Sequence, residues 1–140
     1  MSAAGAGYSG TPLPRKLGIR SGHRLALVHA PEGFEDTLGE LPGDVLVGRR
    51  ARGPLDVIVA FTRSRVELER GLDGWRAALD PAGGLWIAWP KRTSGLATDL
   101  SDGVVRDAGL ARGLVDNKVC AIDDTWSALR FVVRVADRPR

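Results

Sequence analysis

The chain predicts an α/β fold in three layers: a mostly parallel sheet, helices on both faces and an antiparallel hairpin at the C-terminal end. Three observations carry that prediction. Apolar runs of strand length alternate with segments of helical spacing, the pattern of strand–helix–strand units. Asp56-Val57-Ile58-Val59-Ala60-Phe61 is continuously apolar after its first residue and bounded by turn residues, which suits a strand covered on both faces. Finally, residues 118–123 and 130–135 read as two strands joined through Asp124-Thr125-Trp126-Ser127, which makes a hairpin with a longer loop.

The elements follow in order. Residues 1–22 contain Gly5, Gly7, Gly10, Pro12 and Pro14 and read as an N-terminal arm, with room for one helical turn around Leu13 to Ile19. A single domain is expected over 23–140. Its first strand is 24–30, closed by Pro31, and a short helix over 35–40 ends before Pro42. A second strand over 44–47 and a polar turn over 49–54 lead into the strand at 56–61. Ser64 then has N-cap chemistry, and Glu67 three residues later completes the capping-box spacing. Val66, Leu68, Leu72, Trp75, Ala78 and Leu79 continue at approximately helical spacing. Asp80-Pro81-Ala82-Gly83-Gly84 stops that helix and turns into Leu85-Trp86-Ile87-Ala88-Trp89-Pro90, a buried strand. A helix is expected over 99–112, capped by Thr98, with Asp99 and Asp102 at the positive end of its dipole and Gly113 as its stop.

Composition narrows the function. The chain has 140 residues, 44% hydrophobic and 26% charged, enough to bury about two-thirds of its unfolded surface in one core. No apolar stretch approaches the roughly 20 residues of a membrane span, and the N-terminus lacks the charged and apolar regions of a secretory signal, so a cytoplasmic protein without a membrane partner is expected. The single Cys120 has no internal disulfide partner and reads as a small core residue. Net charge is +3, but the cations are mostly arginines scattered among acids, which argues against a nucleic-acid surface.

The segment with most chemistry is the loop after the Trp-rich strand. Lys91 and Arg92 offer charge, Thr93 and Ser94 hydroxyls and Gly95 close backbone approach, and loops at the carboxyl ends of such strands are where ligands bind. His29, at the end of the first strand, has the chemistry of a general base, although a capped side chain is the more ordinary role. Trp89 and Trp126 are the aromatic residues expected to face a ligand or partner, whereas Trp86 belongs to the core. The ligand-binding set is therefore His29, Lys91, Arg92, Ser94, Gly95, Trp89 and Trp126. No catalytic residue is assigned, because neither a nucleophile elbow nor metal-ligand spacing is present. The glycine spacing also excludes a Walker-type phosphate loop. Asp116, Lys118, Asp123 and Asp124 are expected to pair with one another across the hairpin.

The strand and helix order resembles the sheet of class I methyltransferases, in degenerate form. That resemblance implies a glycine-rich cofactor loop after the first strand and a ribose-holding acid at the end of the second. Here the corresponding residues are His29-Ala30-Pro31-Glu32-Gly33-Phe34, with one glycine, and Val47-Gly48-Arg49-Arg50, with no acid. No cofactor is therefore expected.

A set of stretches spreads over nearly the whole length: Tyr8-Ser9-Gly10-Thr11-Pro12-Leu13, Lys16-Leu17-Gly18-Ile19, Ala30-Pro31-Glu32-Gly33-Phe34, Leu85 to Lys91 with Ser94-Gly95, Thr98-Asp99-Leu100, Gly113 to Lys118, and Trp126-Ser127. In these stretches the chain is similar to the actinobacterial family called domain of unknown function 3052. That family carries no established activity.

These readings make a non-catalytic α/β module the leading expectation, binding a small anionic ligand or a protein partner through the loop after the Trp-rich strand. One alternative is an S-adenosylmethionine-dependent methyltransferase-like enzyme. Another is an interaction subunit that docks on a partner or a second copy through its N-terminal arm.

Overall fold

The computed structural model describes residues 10–139. Tyr8 and Ser9, and the part of the expected arm before Gly10, lie outside the described residues. The fold class is the one the sequence predicts. Among the described residues six strands form one sheet, β1 (Arg24–Val28), β2 (Leu46–Gly48), β3 (Leu55–Phe61), β4 (Leu79–Pro90), β5 (Leu114–Ala121) and β6 (Trp126–Val133), in the spatial order β2-β1-β3-β4-β6-β5. β2, β1, β3 and β4 are mutually parallel, and β6 runs antiparallel to both β4 and β5.

The α-helices among the described residues cover the two faces: α1 (Leu13–Lys16) and α2 (Phe34–Leu38) on one, α3 (Arg65–Ala78) and α4 (Asp102–Leu110) on the other. The period of two along β4 decides which residue meets which layer. Leu85, Ile87 and Trp89 pack with Leu68, Leu72 and Trp75 of α3 and Val105 of α4. Trp86 and Ala88 pack with Leu17, Ile19, Phe34 and Leu38 on the opposite face. The Trp86 indole N–H donates to the Leu17 carbonyl at 2.9 Å, which fastens the segment after α1 to the sheet.

β4 is central, between β3 and β6, as a doubly covered strand should be. It also begins earlier than expected. Leu79 pairs with Leu55, the register then shifts, and Gly84 pairs with Val57, so residues 80–83 form a bulge inside the strand instead of a turn before it. Both glycines here face close contacts. A Cβ on Gly83 would lie 2.6 Å from the Asp56 carbonyl oxygen, and one on Gly84 would lie 2.5 Å from Nε of Arg130.

The other boundaries move for identifiable reasons. α4 starts at Asp102 because Ser101 caps it, its hydroxyl accepting from the Val104 N–H, whereas Thr98 and Asp99 are engaged elsewhere. β5 starts at Leu114, directly after Gly113 at φ 79°, and β6 starts at Trp126. The hairpin turn is tightened by the Asp123 carboxylate, which accepts from the N–H groups of Thr125 and Trp126 at 2.8 Å each. The expected pairing among hairpin charges is not found. Asp116 instead receives Arg106 of α4 at 2.9 Å, and Asp123 is spent on the turn.

Candidate functional site

The sequence of strands reverses direction across the sheet between β1 and β3: β1 leads outward through α2 to β2, and β3 leads the other way through α3 to β4. Ligands of open α/β sheets bind in the crevice at such a switch point, outside the carboxyl ends. The residues there are His29 after β1, Thr62 to Ser64 after β3, and the beginning of α2.

His29 adopts a left-handed backbone at φ 56°, and Gly33 ahead of α2 does so at 82°. A Cβ on Gly33 would meet no atom within 4 Å, so this turn faces open space. His29 Nδ1 lies 3.9 Å from one Glu67 carboxylate oxygen, and the other accepts from the Arg63 N–H at 2.6 Å. The expected cap is confirmed, since the Ser64 hydroxyl accepts from the Glu67 N–H at 3.1 Å. The return bond of the capping box goes to the Arg63 N–H instead of that of Ser64. Beneath the crevice, Phe34, Phe61 and Trp126 make edge-to-face contacts with centroids 4.9 and 5.1 Å apart, and the Arg63 guanidinium lies 5.6 Å from the Trp126 ring centre. Such a cation over an aromatic face is attracted by the ring quadrupole. Arg49, immediately past β2, forms an ion pair with Glu35 in the first turn of α2.

Beside the crevice, at the carboxyl end of β4, a cavity of about 770 Å³ is lined by Trp89, Lys91, Arg92, Thr98, Asp102 and neighbouring residues. Its loop is anchored to the switch point. The Thr98 hydroxyl donates to the Arg63 carbonyl at 2.7 Å, and the Asp99 carboxylate accepts from the Arg65 N–H at 2.8 Å. The Lys91 N–H donates to the Thr125 carbonyl at 2.7 Å, fastening the start of the loop to the hairpin.

Of the expected ligand set, the structure brings Trp89, Lys91 and Arg92 together on this cavity. Ser94 and Gly95 shape the loop without lining it: the Ser94 hydroxyl donates to the Lys91 carbonyl and accepts from the Leu96 N–H, and Gly95 turns at φ 80°. His29 does not line the cavity and stands in the crevice. Trp89 and Trp126 form no common wall, because Trp89 pairs with Ser127 and Pro90 with Trp126, which puts the two indoles on opposite faces of the sheet. Sequence reasoning missed Glu35, Arg49, Arg63 and Glu67 as crevice residues. The offset between Ser64 and Glu67 was the available signal for the last of these.

Among the described residues no group of three His, Cys, Asp or Glu side chains is arranged to hold a metal ion, and no helix is long and apolar enough to cross a membrane.

The fold is that of the class I S-adenosylmethionine-dependent methyltransferases. The chain is similar to TrmN from Thermus thermophilus (TM-score 0.57, 15% identity, 87% of this chain and 47% of that one). It thus spans about half the length of TrmN. It is also similar to a TehB-like SAM-dependent methyltransferase from Corynebacterium glutamicum (0.57, 13%, 94% and 92%) and to the magnesium protoporphyrin IX methyltransferase ChlM from Synechocystis, solved with bound SAH (0.55, 11%, 81% and 75%). No protein-family model and no curated protein matches the sequence. These structural neighbours correct the leading expectation of a non-catalytic module, since the solved proteins that share the fold are described as methyltransferases.

Proposed function

We infer that the chain is a methyltransferase-like enzyme that binds S-adenosylmethionine in the crevice at the carboxyl ends of β1 and β3 and takes its methyl acceptor in the neighbouring cavity. The reading is supported by the fold together with one observation in the crevice. Glu35 reaches the end of β2 in space and pairs there with Arg49, which supplies the acid that the sequence lacks at that strand's end. The donor set fits the ligand: Glu35 would accept from ribose hydroxyls, and Arg63 and His29 would meet its carboxylate. The departure from a glycine-rich loop is offset by the left-handed turns at His29 and Gly33, which open the backbone to approach.

When bound, S-adenosylmethionine supplies an activated methyl group. The chain's own contribution is positional. Trp89 offers an apolar wall, Lys91 and Arg92 hold an anionic or polar acceptor, and the bond from Thr98 to Arg63 keeps the acceptor loop in register with the crevice. His29, whose Nδ1 lies 3.9 Å from a Glu67 carboxylate oxygen, is the crevice side chain with general-base chemistry. Membership of the domain of unknown function 3052 family, a cytoplasmic location and a single domain over 23–140 behind an N-terminal arm belong to the same reading.

Equilibrium dialysis with S-adenosylhomocysteine tests it. Submillimolar binding is expected, weakened at least about tenfold, equivalent to 1.4 kcal/mol, by Glu35→Ala. Absence of binding in the unaltered chain overturns the proposal.

A further inference from the structure

The amino edge of the sheet, opposite the crevice, contains a second cavity of about 300 Å³. Four cations converge on it from four parts of the chain: Lys16 from α1, Arg20 from the turn before β1, Lys118 from β5 and Arg130 from β6. Among the described residues none of these four takes part in an ion pair. The one carboxylate on the wall, Asp56, accepts from the Arg24 N–H at 2.8 Å.

Arg130 is the most telling of the four. Its guanidinium is laid against the bare backbone of Gly84, where any side chain would collide with it, and its one side-chain partner is the neutral Asn117 amide at 3.3 Å. Burial, reinforced by repulsion from Arg138, pulls its pKa down from the ordinary arginine value. A half-buried cation with no acid beside it is a costly arrangement unless an anion compensates it. His23 adds a further donor. Its Nδ1 accepts from the Arg20 N–H, so in the neutral ring the proton resides on Nε2.

We propose that this cavity binds a multivalent phosphate, with Arg130 and Lys118 on one side of the anion and Lys16 and Arg20 on the other. Four cations against one occupied carboxylate call for more negative charge than a monocarboxylate carries. The volume lies at the lower end of the range for small-molecule sites, which fits a diphosphate group. Guanidinium groups suit such oxygens because their N–H fork matches them bidentately. The site is separate from the methyltransferase crevice and stands whether or not that reading holds.

The test is calorimetry of the full chain at low ionic strength with inorganic pyrophosphate, ADP and orthophosphate. Binding of pyrophosphate or ADP ahead of orthophosphate is expected. Equal affinity for the first two points to the diphosphate alone, and tighter ADP to a nucleotide. Lys118→Gln and Arg20→Gln, both on exposed side chains and safe for folding, should each weaken binding about tenfold, and Lys91→Gln at the opposite edge should leave it unchanged. No heat with any of the three phosphates, or an equal loss in Lys91→Gln, overturns the proposal.

Discussion

The Thr98 hydroxyl donates to the Arg63 carbonyl across 35 positions of sequence, and that bond joins the loop after β4 to the turn that opens α3. The Leu100 N–H donates back to the same hydroxyl at 3.1 Å, so one oxygen serves both the long-range tie and the local turn. With Asp99 accepting from the Arg65 N–H, the cavity loop is held by α3 more than by the helix that follows it.

Thr98→Val keeps the shape and removes both bonds. The net loss should be about 1–2 kcal/mol, a modest drop in melting temperature. The larger effect should be local: trypsin should cut faster after Lys91 and Arg92 under native conditions, because the loop opens without global unfolding. Unchanged cleavage would show that the tie does not control the loop.

The same residues explain what was legible in the sequence. The fold class was readable because β3 and β4 each contain an unbroken apolar run, residues 57–61 and 85–90, and because Ser64 and Glu67 mark the start of α3 by local chemistry alone. The cap of α4 was misplaced because Thr98, Ser101, Asp99 and Asp102 all have capping chemistry. Long-range bonds to Arg63 and Arg65, which local spacing does not encode, decide that Ser101 is the cap. Lys91 and Arg92 were readable as cavity residues since they follow a central strand. The division of Trp89 and Trp126 between faces was not, because it depends on the β4–β6 register.

Trp86→Phe preserves most of the buried area under α1 but deletes the indole N–H and leaves the Leu17 carbonyl without that donor. Loss of a buried partner costs about 1–3 kcal/mol. Urea denaturation should show a lower midpoint, with increased amide exchange concentrated in residues 13–19. An unaltered midpoint would mean that the arm's docking rests on Leu17 and Ile19 alone.

Two helix glycines should respond to alanine with opposite signs. A Cβ on Gly109 in α4 would come within 2.2 Å of the buried Phe131 ring, whereas one on Gly74 in α3 meets nothing within 4 Å. Gly109→Ala should therefore destabilise by about 1–3 kcal/mol through overpacking. Gly74→Ala should stabilise by up to about 1 kcal/mol through helix propensity. Thermal melts of the two variants check both directions, and destabilisation by Gly74→Ala would contradict the packing of α3.

Cys120 gives a pH dependence with a definite sign. Burial pushes its thiol pKa above the ordinary value, and Lys16 and Lys91 oppose that shift without cancelling it. The folded state therefore holds the thiol proton to higher pH than the unfolded chain, and stability falls as pH rises where the unfolded state has already released its proton. The contribution is fully present below the unfolded thiol value of about 8.5 and is lost as pH rises through the folded one. Other groups also titrate in that range, so the observable is a difference: between pH 8 and 10.5, the unaltered chain should lose more stability than Cys120→Ala. Lys91→Ala removes one of the two opposing charges and should raise the thiol pKa further, slowing the native protein's reaction with a disulfide reagent at pH 8. Equal slopes for the unaltered chain and Cys120→Ala would place the thiol in a more hydrated setting than β5 provides.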